Sequence, residues 1–336
     1  MKDMSKWQKE RTLEKSYELL KGAIDIHVHA GPHLISSPRN VDPIQAATQA
    51  RDVGMRAIVY MDVFEMTTGT AWIASRVVPD FQVFGGIILN TVYGGLNPRA
   101  VKTAIFYGSG AKYVSFGAHS TYYQASKEGR VVDGKFTPLK DLYPRFVEEE
   151  LSRCISIPIE GNLNPELEEI LEIIAANPQV YLNTGHVSPE EALRLIELAR
   201  EFGIKKVLVA NSAVANMTID QMRKAADEGA FLERTLAAHT HTTTIPKTHY
   251  YVEPEWKALD EGLPGMIKGG VKYIAEQVQE IGAEHFILAT DFGVYTLPPP
   301  VEGMREFISC MLDLDLPEED IRSMISTNPA KLLGIE

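Results

Sequence analysis

The chain has 336 residues, 45% of them hydrophobic, which is ample for a large core. It carries 33 basic and 45 acidic residues for a net charge of −12, with no basic cluster, which argues against a nucleic-acid partner. No segment has the ~18 uninterrupted apolar residues of a membrane span.

Residues 1–20 alternate Lys and Glu around Trp7, Leu13, Tyr17 and Leu20, without the apolar stretch of a signal peptide. This predicts an N-terminal helix over 1–21 packed on a single domain over 22–336, in a soluble cytoplasmic protein. Cys154 and Cys310 have no partner motif, so no disulfide framework is expected.

Eight short apolar or β-branched runs follow, at 24–29, 56–62, 81–89, 112–118, 179–185, 206–211, 230–235 and 285–290. Helical patterns lie between most of them. The clearest is Pro165 to Ala176, where Leu167, Ile170, Leu171 and Ile174 share one face behind Asn164-Pro165 as N-cap and first helical residue. Ser188-Pro189-Glu190-Glu191 reads as a capping box, and a further helix opens at Thr218. Eight strands alternating with helices predict a (β/α)8 TIM barrel. An open doubly wound sheet is the runner-up, but no G-x-G-x-x-G follows a strand. Two long spacings place insertions after strands 4 and 7, at roughly 120–163 and 236–263. Asp133-Gly134 in the first is a hairpin turn signal. Loops after barrel strands sit on the catalytic face, so both insertions should border the site.

The first run, Ile24-Asp25-Ile26-His27-Val28-His29, carries two histidines two residues apart. Side chains alternate along a strand, so His27 and His29 project together as half of a metal site. The fifth run ends in His186 and the eighth in Asp291. Three histidines and a carboxylate at C-terminal strand ends of one barrel converge on its axis.

Asp25-Ile26-His27-Val28-His29, Thr184-Gly185-His186 and Thr290-Asp291 resemble the strand 1, strand 5 and strand 8 motifs of the amidohydrolase superfamily. Phe84 to Asn90, followed by Gly94-Gly95-Leu96-Asn97-Pro98, is similar to an uncharacterised branch of metal-dependent-hydrolase-like proteins. The resemblance implies that His27, His29 and His186 are metal ligands and that Asp291 is a ligand or the general base. Binuclear members carry a carboxylated lysine or a glutamate at the end of strand 4, and many members a histidine ending strand 6. Here Lys112 lies at the wrong end of strand 4, His119 stands at its C-terminal end, and Asn211 ends strand 6. The expectation is therefore one divalent ion, zinc foremost, with manganese, iron, cobalt or nickel as alternatives and His119 as a candidate replacement ligand. Metal-activated water would then attack an amide, lactone or related ester of a small molecule, with Asp291 moving the proton.

Asn211, Glu233, Arg39, His33, His239 and His241 are the candidate substrate-binding residues. Glu233 could reach the metal or the substrate, or equally be an ion pair at the barrel rim. Asp62 ends strand 2, and Asn90, Asn97 and Gly94-Gly95 shape the loop after strand 3. Rival readings are a decarboxylase or hydratase on the same site, a phosphoesterase of the polymerase-and-histidinol-phosphatase type, and a degenerate barrel that binds without catalysis. No nucleic-acid or membrane partner is expected, and self-association is left open.

Overall fold

The strands are apolar throughout because the barrel buries them on both faces, against its own interior and against the helices outside. The computed structural model describes residues 6–35, 37–239 and 270–336. Ten strands occur among these: β1 (Ile24–Val28), β2 (Ala57–Tyr60), β3 (Gln82–Ile88), β4 (Ala111–Ser115), β5 (Gly129–Val132), β6 (Lys135–Pro138), β7 (Tyr181–Asn183), β8 (Val207–Val209), β9 (Phe231–Thr235) and β10 (Phe286–Ala289). Eight of them pair in the order β1-β2-β3-β4-β7-β8-β9-β10, all parallel, which is the predicted (β/α)8 barrel. The ends of the sheet meet where Asp291 N–H donates to the His27 carbonyl (2.8 Å) and His29 N–H to the Phe292 carbonyl (2.8 Å).

Two hydrophobic layers result. Ile24, Ile26, Val59, Tyr113, Tyr181, Leu208 and Ile287 fill the barrel, closed by Leu332 and Leu333 of the C-terminal helix Asn328–Leu333. Val28, Val114, Leu182, Val209 and Leu288 belong to the larger outer layer, packed under helices such as Pro165–Ala175 and Pro189–Phe202. Those helices begin where capping chemistry puts them. Asn164 accepts from Leu167 N–H, and Ser188 and Thr218 each complete a capping box, with Glu191 and Gln221. The N-terminal helix Lys6–Leu20 packs against the helix Pro300–Asp313.

Between β4 and the helix at Pro165, the chain folds into short helices and the β5–β6 hairpin. Its two-residue turn is the Asp133-Gly134 pair, both at positive φ (50° and 76°), as the right-handed twist of a hairpin requires. Most of the second expected insertion lies outside the described residues. Among the described residues, no helix is long and apolar enough to cross a membrane.

Close backbone approach fixes the top of the barrel. Gly185, one residue before His186, has φ +66°, and a Cβ there would meet the Gly117 carbonyl beyond β4. Gly185→Ala therefore incurs left-handed strain of about 1–2 kcal/mol and overpacking of about 1–3 kcal/mol. The expected loss of stability is about 2–5 kcal/mol, read from urea denaturation. An unchanged midpoint would contradict this account of the turn.

Candidate metal centre

Simple alternation does not by itself put the two histidines inside the barrel. Ile24 and Ile26 already point inward, so His27 and His29 would face the outer helices. The register resolves this. Asp25 pairs with Ile58 and Val28 with Tyr60, so three steps on β1 match two on β2. This bulge flips the alternation, turning Val28 outward and both histidines toward the axis. Asp25 stabilises the irregularity. Its buried carboxylate accepts His27 N–H (3.1 Å), Thr290 N–H (3.1 Å) and the Thr290 hydroxyl (2.5 Å), tying β1 to the strand that delivers Asp291. Burial pushes the Asp25 carboxyl up to about 6, although these hydrogen bonds pull the other way.

The histidines are oriented by their Nδ1 atoms. His27 Nδ1–H donates to Glu233 Oε1 (2.9 Å) and His29 Nδ1–H to the Met61 carbonyl (2.8 Å). Each ring therefore turns Nε2 into the barrel, and both Nε2 atoms approach Asp291 Oδ1, at 3.5 Å and 2.9 Å. The rings lie 5.0 Å apart at 69°. Asp291 reaches this place with φ +57°, a conformation that aspartate tolerates better than most side chains. Burial would lower the basicity of His27, but the Asp291 and Glu233 carboxylates outweigh it and hold the imidazole at about 9. Burial opposes ionisation of Asp291, yet His27 and His29 draw its carboxyl down to about 2.

His186 lies beside this group in a cavity of about 210 Å³ that is also lined by His27, His29, His119, Asn183 and Asp291. Its N–H donates to the Gly117 carbonyl (2.9 Å) and its carbonyl accepts from Thr121 (2.6 Å). Burial, reinforced by His119, drives the imidazole down to about 3, and its Nδ1 is buried without a hydrogen-bond partner. An uncharged, unsatisfied ring nitrogen next to two oriented imidazoles and a carboxylate fits a divalent cation. Among the described residues, His27, His29 and Asp291 form a group whose candidate ligand atoms all lie within 4.8 Å of one another. His186 stands outside that tight group while sharing its cavity.

The other candidates divide. His119 stacks edge-on with His186 at 5.9 Å, but its Nδ1 is taken by Glu128 (2.5 Å), which raises its basicity, and the side chain is 60% exposed. Glu233 is fully buried beneath His27, and its Oε2 accepts Asn211 N–H (3.0 Å). Asn211 Oδ1 accepts Thr235 N–H (3.2 Å), so this side chain joins β8 to β9 and does not line the cavity. His33 and Arg39 line a wider outer cavity of about 580 Å³ that shares His29, His119 and Asp291 with the inner one. His239 lies beside Arg234 (3.3 Å), away from both cavities, and His241 falls outside the described residues. Lys112 sits at the start of β4, over the Phe84 ring. Asp62 receives His33 and Phe64 N–H, and Asn90 joins Val63 to Ala118.

Sequence reasoning missed Asp25, Glu128 and the Met61 carbonyl as partners. Asp25 had one visible signal, a lone acid inside an apolar run. Glu233 holds His27 from β9, two strands away around the closed barrel, where the sequence allowed contact with the metal or the substrate, or a rim ion pair. Replacing it with Gln keeps its volume but weakens the acceptor for His27 Nδ1–H. Glu233→Gln is expected to lower divalent-metal affinity about 10–100-fold, read by competition with a chromogenic chelator. Unaltered affinity would contradict the role of Glu233 in orienting His27.

A family model described as a family of unknown function (DUF6282) matches residues 22–233. No curated protein matches the chain. Solved structures do. An amidohydrolase from Pseudomonas aeruginosa superposes with a TM-score of 0.55 at 13% identity, covering 96% of this chain and 98% of that one. A Xaa-Pro dipeptidase with bound methionine gives 0.53 at 15% identity, covering 94% and 76%. The organophosphorus hydrolase from Deinococcus radiodurans gives 0.52 at 12% identity, covering 95% and 94%. At identities this low the likeness shows the fold alone, the eight-stranded parallel barrel that this chain shares with those hydrolases.

Proposed function

The chain belongs to the DUF6282 family of unknown function, and from that premise and the site geometry we propose that it is a metal-dependent hydrolase of the amidohydrolase type. The observation that carries this reading is the convergence of His27, His29 and Asp291 within 4.8 Å, with both histidines fixed to present Nε2. His27, His29 and Asp291 would hold one divalent ion, zinc foremost, with His186 as the neighbouring ligand. Such an ion supplies Lewis acidity to an amide, lactone or ester carbonyl and acidifies water.

The protein residues supply the remaining functions. Asp291, ionised at neutral pH, accepts the proton of the attacking water and passes it to the leaving group. Glu233 and the Met61 carbonyl keep the two histidines in one tautomer and orientation. His119, held by Glu128 at the join of the two cavities, contacts the bound small molecule. We treat 22–336 as one catalytic domain acting in the cytoplasm, where Cys154 and Cys310 remain free thiols.

Elemental analysis of the purified protein tests the reading. About one divalent ion per chain is expected, with hydrolysis of an ester or lactone panel lost on chelation and restored by the metal. Protein that holds no divalent metal when supplied with each of these ions would overturn it.

A further inference from the structure

The outer cavity contains a cation that the site described so far does not use. Arg39 stands in the loop after β1 and lines this cavity together with His29, His119 and Asp291. Its Nη2 donates to His33 Nε2 (2.9 Å), and His33 Nδ1–H donates to Asp62 Oδ2 (2.7 Å). Accepting from a guanidinium keeps His33 neutral, so the Asp62 carboxylate faces Arg39 only through the intervening ring. Its Nε is buried without a partner, and Nη1 makes no hydrogen bond to the described residues. Neither does Arg39 form an ion pair with any described carboxylate. An arginine cannot shed its proton, and the nearest carboxylates, Asp62 behind His33 and Asp291 across the cavity, act on the guanidinium without contacting it, which leaves Nε and Nη1 open to an anionic ligand.

The loop backbone is also held in place. Arg39 bridges to Val294, Asn40 N–H donates to the Gly293 carbonyl (2.9 Å), and Asn40 Nδ2 donates to the Leu297 (2.7 Å) and Pro298 (3.0 Å) carbonyls. The loop that carries the cation is thereby fastened to the segment that follows Asp291, which fixes the guanidinium relative to the candidate metal centre.

We infer that Arg39 is an anion subsite and that the substrate carries a carboxylate held there while its scissile carbonyl lies at His27, His29 and Asp291. This inference rests on the hydrolase reading above. The other charges of the cavity decide the class of anion. Glu128 is engaged by His119, and Glu150 is exposed and accepts from Thr91. One guanidinium without a direct ion pair, beside those two acids and the ionised Asp291, suits a monoanionic carboxylate and opposes a phosphoryl dianion.

Succinate and butyrate make the test, because they share a four-carbon chain and differ by one carboxylate. By calorimetry on the metal-loaded protein, succinate is expected to bind at least about tenfold tighter than butyrate, the worth of a charge-assisted hydrogen bond. Arg39→Met should bring that ratio to about one while leaving metal content and melting temperature unchanged. Arg39→Gln provides the same comparison should the methionine variant not fold. A ratio that survives both substitutions would overturn the subsite, and tighter binding of 3-phosphonopropionate than of succinate would overturn the carboxylate assignment. Protein that holds no metal yet prefers succinate through Arg39 would retain the subsite and remove the hydrolase reading.

Discussion

His29→Ala is expected to empty the metal site and abolish turnover. His29 is held by the Met61 carbonyl at Nδ1 and brings Nε2 to 2.9 Å from Asp291 Oδ1, closer than His27 at 3.5 Å. Alanine removes a candidate ligand and leaves the Met61 carbonyl without that donor, and neither His27 nor His119 is free to take its place. His27 is tied to Glu233, and His119 to Glu128. Metal content should fall from about one ion per chain to near zero after dialysis. Lewis-acid stabilisation is worth several kcal/mol, so hydrolysis should fall at least about a thousandfold at about 1.4 kcal/mol per decade. Circular dichroism should show the barrel intact, since the core layers on either side of β1 are untouched. A variant that retains the full complement of metal would remove His29 from the ligand set.

The barrel was legible because strands buried on both faces write themselves as apolar runs. The helix starts were legible because capping is local, as at Asn164 and Ser188, where the capping side chain meets an N–H three residues on. The candidate ligands were visible as polar residues closing those runs. What escaped was whatever depends on how distant segments meet. The β1 bulge is a property of the pairing of β1 with β2, and alternation alone would have turned the histidines outward. The Glu233–His27 contact spans 206 residues, and nothing near either residue announces the other. Asn211 shows the converse. Its place at a strand end suggested substrate contact, but its side chain satisfies the backbone of β9. Arg39 was visible as a charge in a loop, while its buried, unpartnered Nε was not.

Asp291→Asn separates the two roles that one carboxylate could fill. Asparagine has nearly the same shape and also tolerates the left-handed backbone found here, so the turn at φ +57° should survive the exchange. What changes is charge. His27 and His29 hold the Asp291 carboxyl near 2, so at neutral pH it is an ionised proton acceptor, and an amide oxygen cannot replace it. Turnover should fall about 100- to 10,000-fold if the carboxylate carries the proton, the range for a general base. Metal content decides the remainder. A variant that keeps its metal but not its turnover assigns Asp291 to proton transfer, with His27, His29 and His186 sufficient to hold the ion. Simultaneous loss of both makes the carboxylate a necessary ligand, and His186, which stands outside the tight group, then cannot compensate. Hydrolysis at the wild-type rate would deny Asp291 the proton, and the base would have to be sought among the other titratable residues of the two cavities, His119 with its Glu128 partner first.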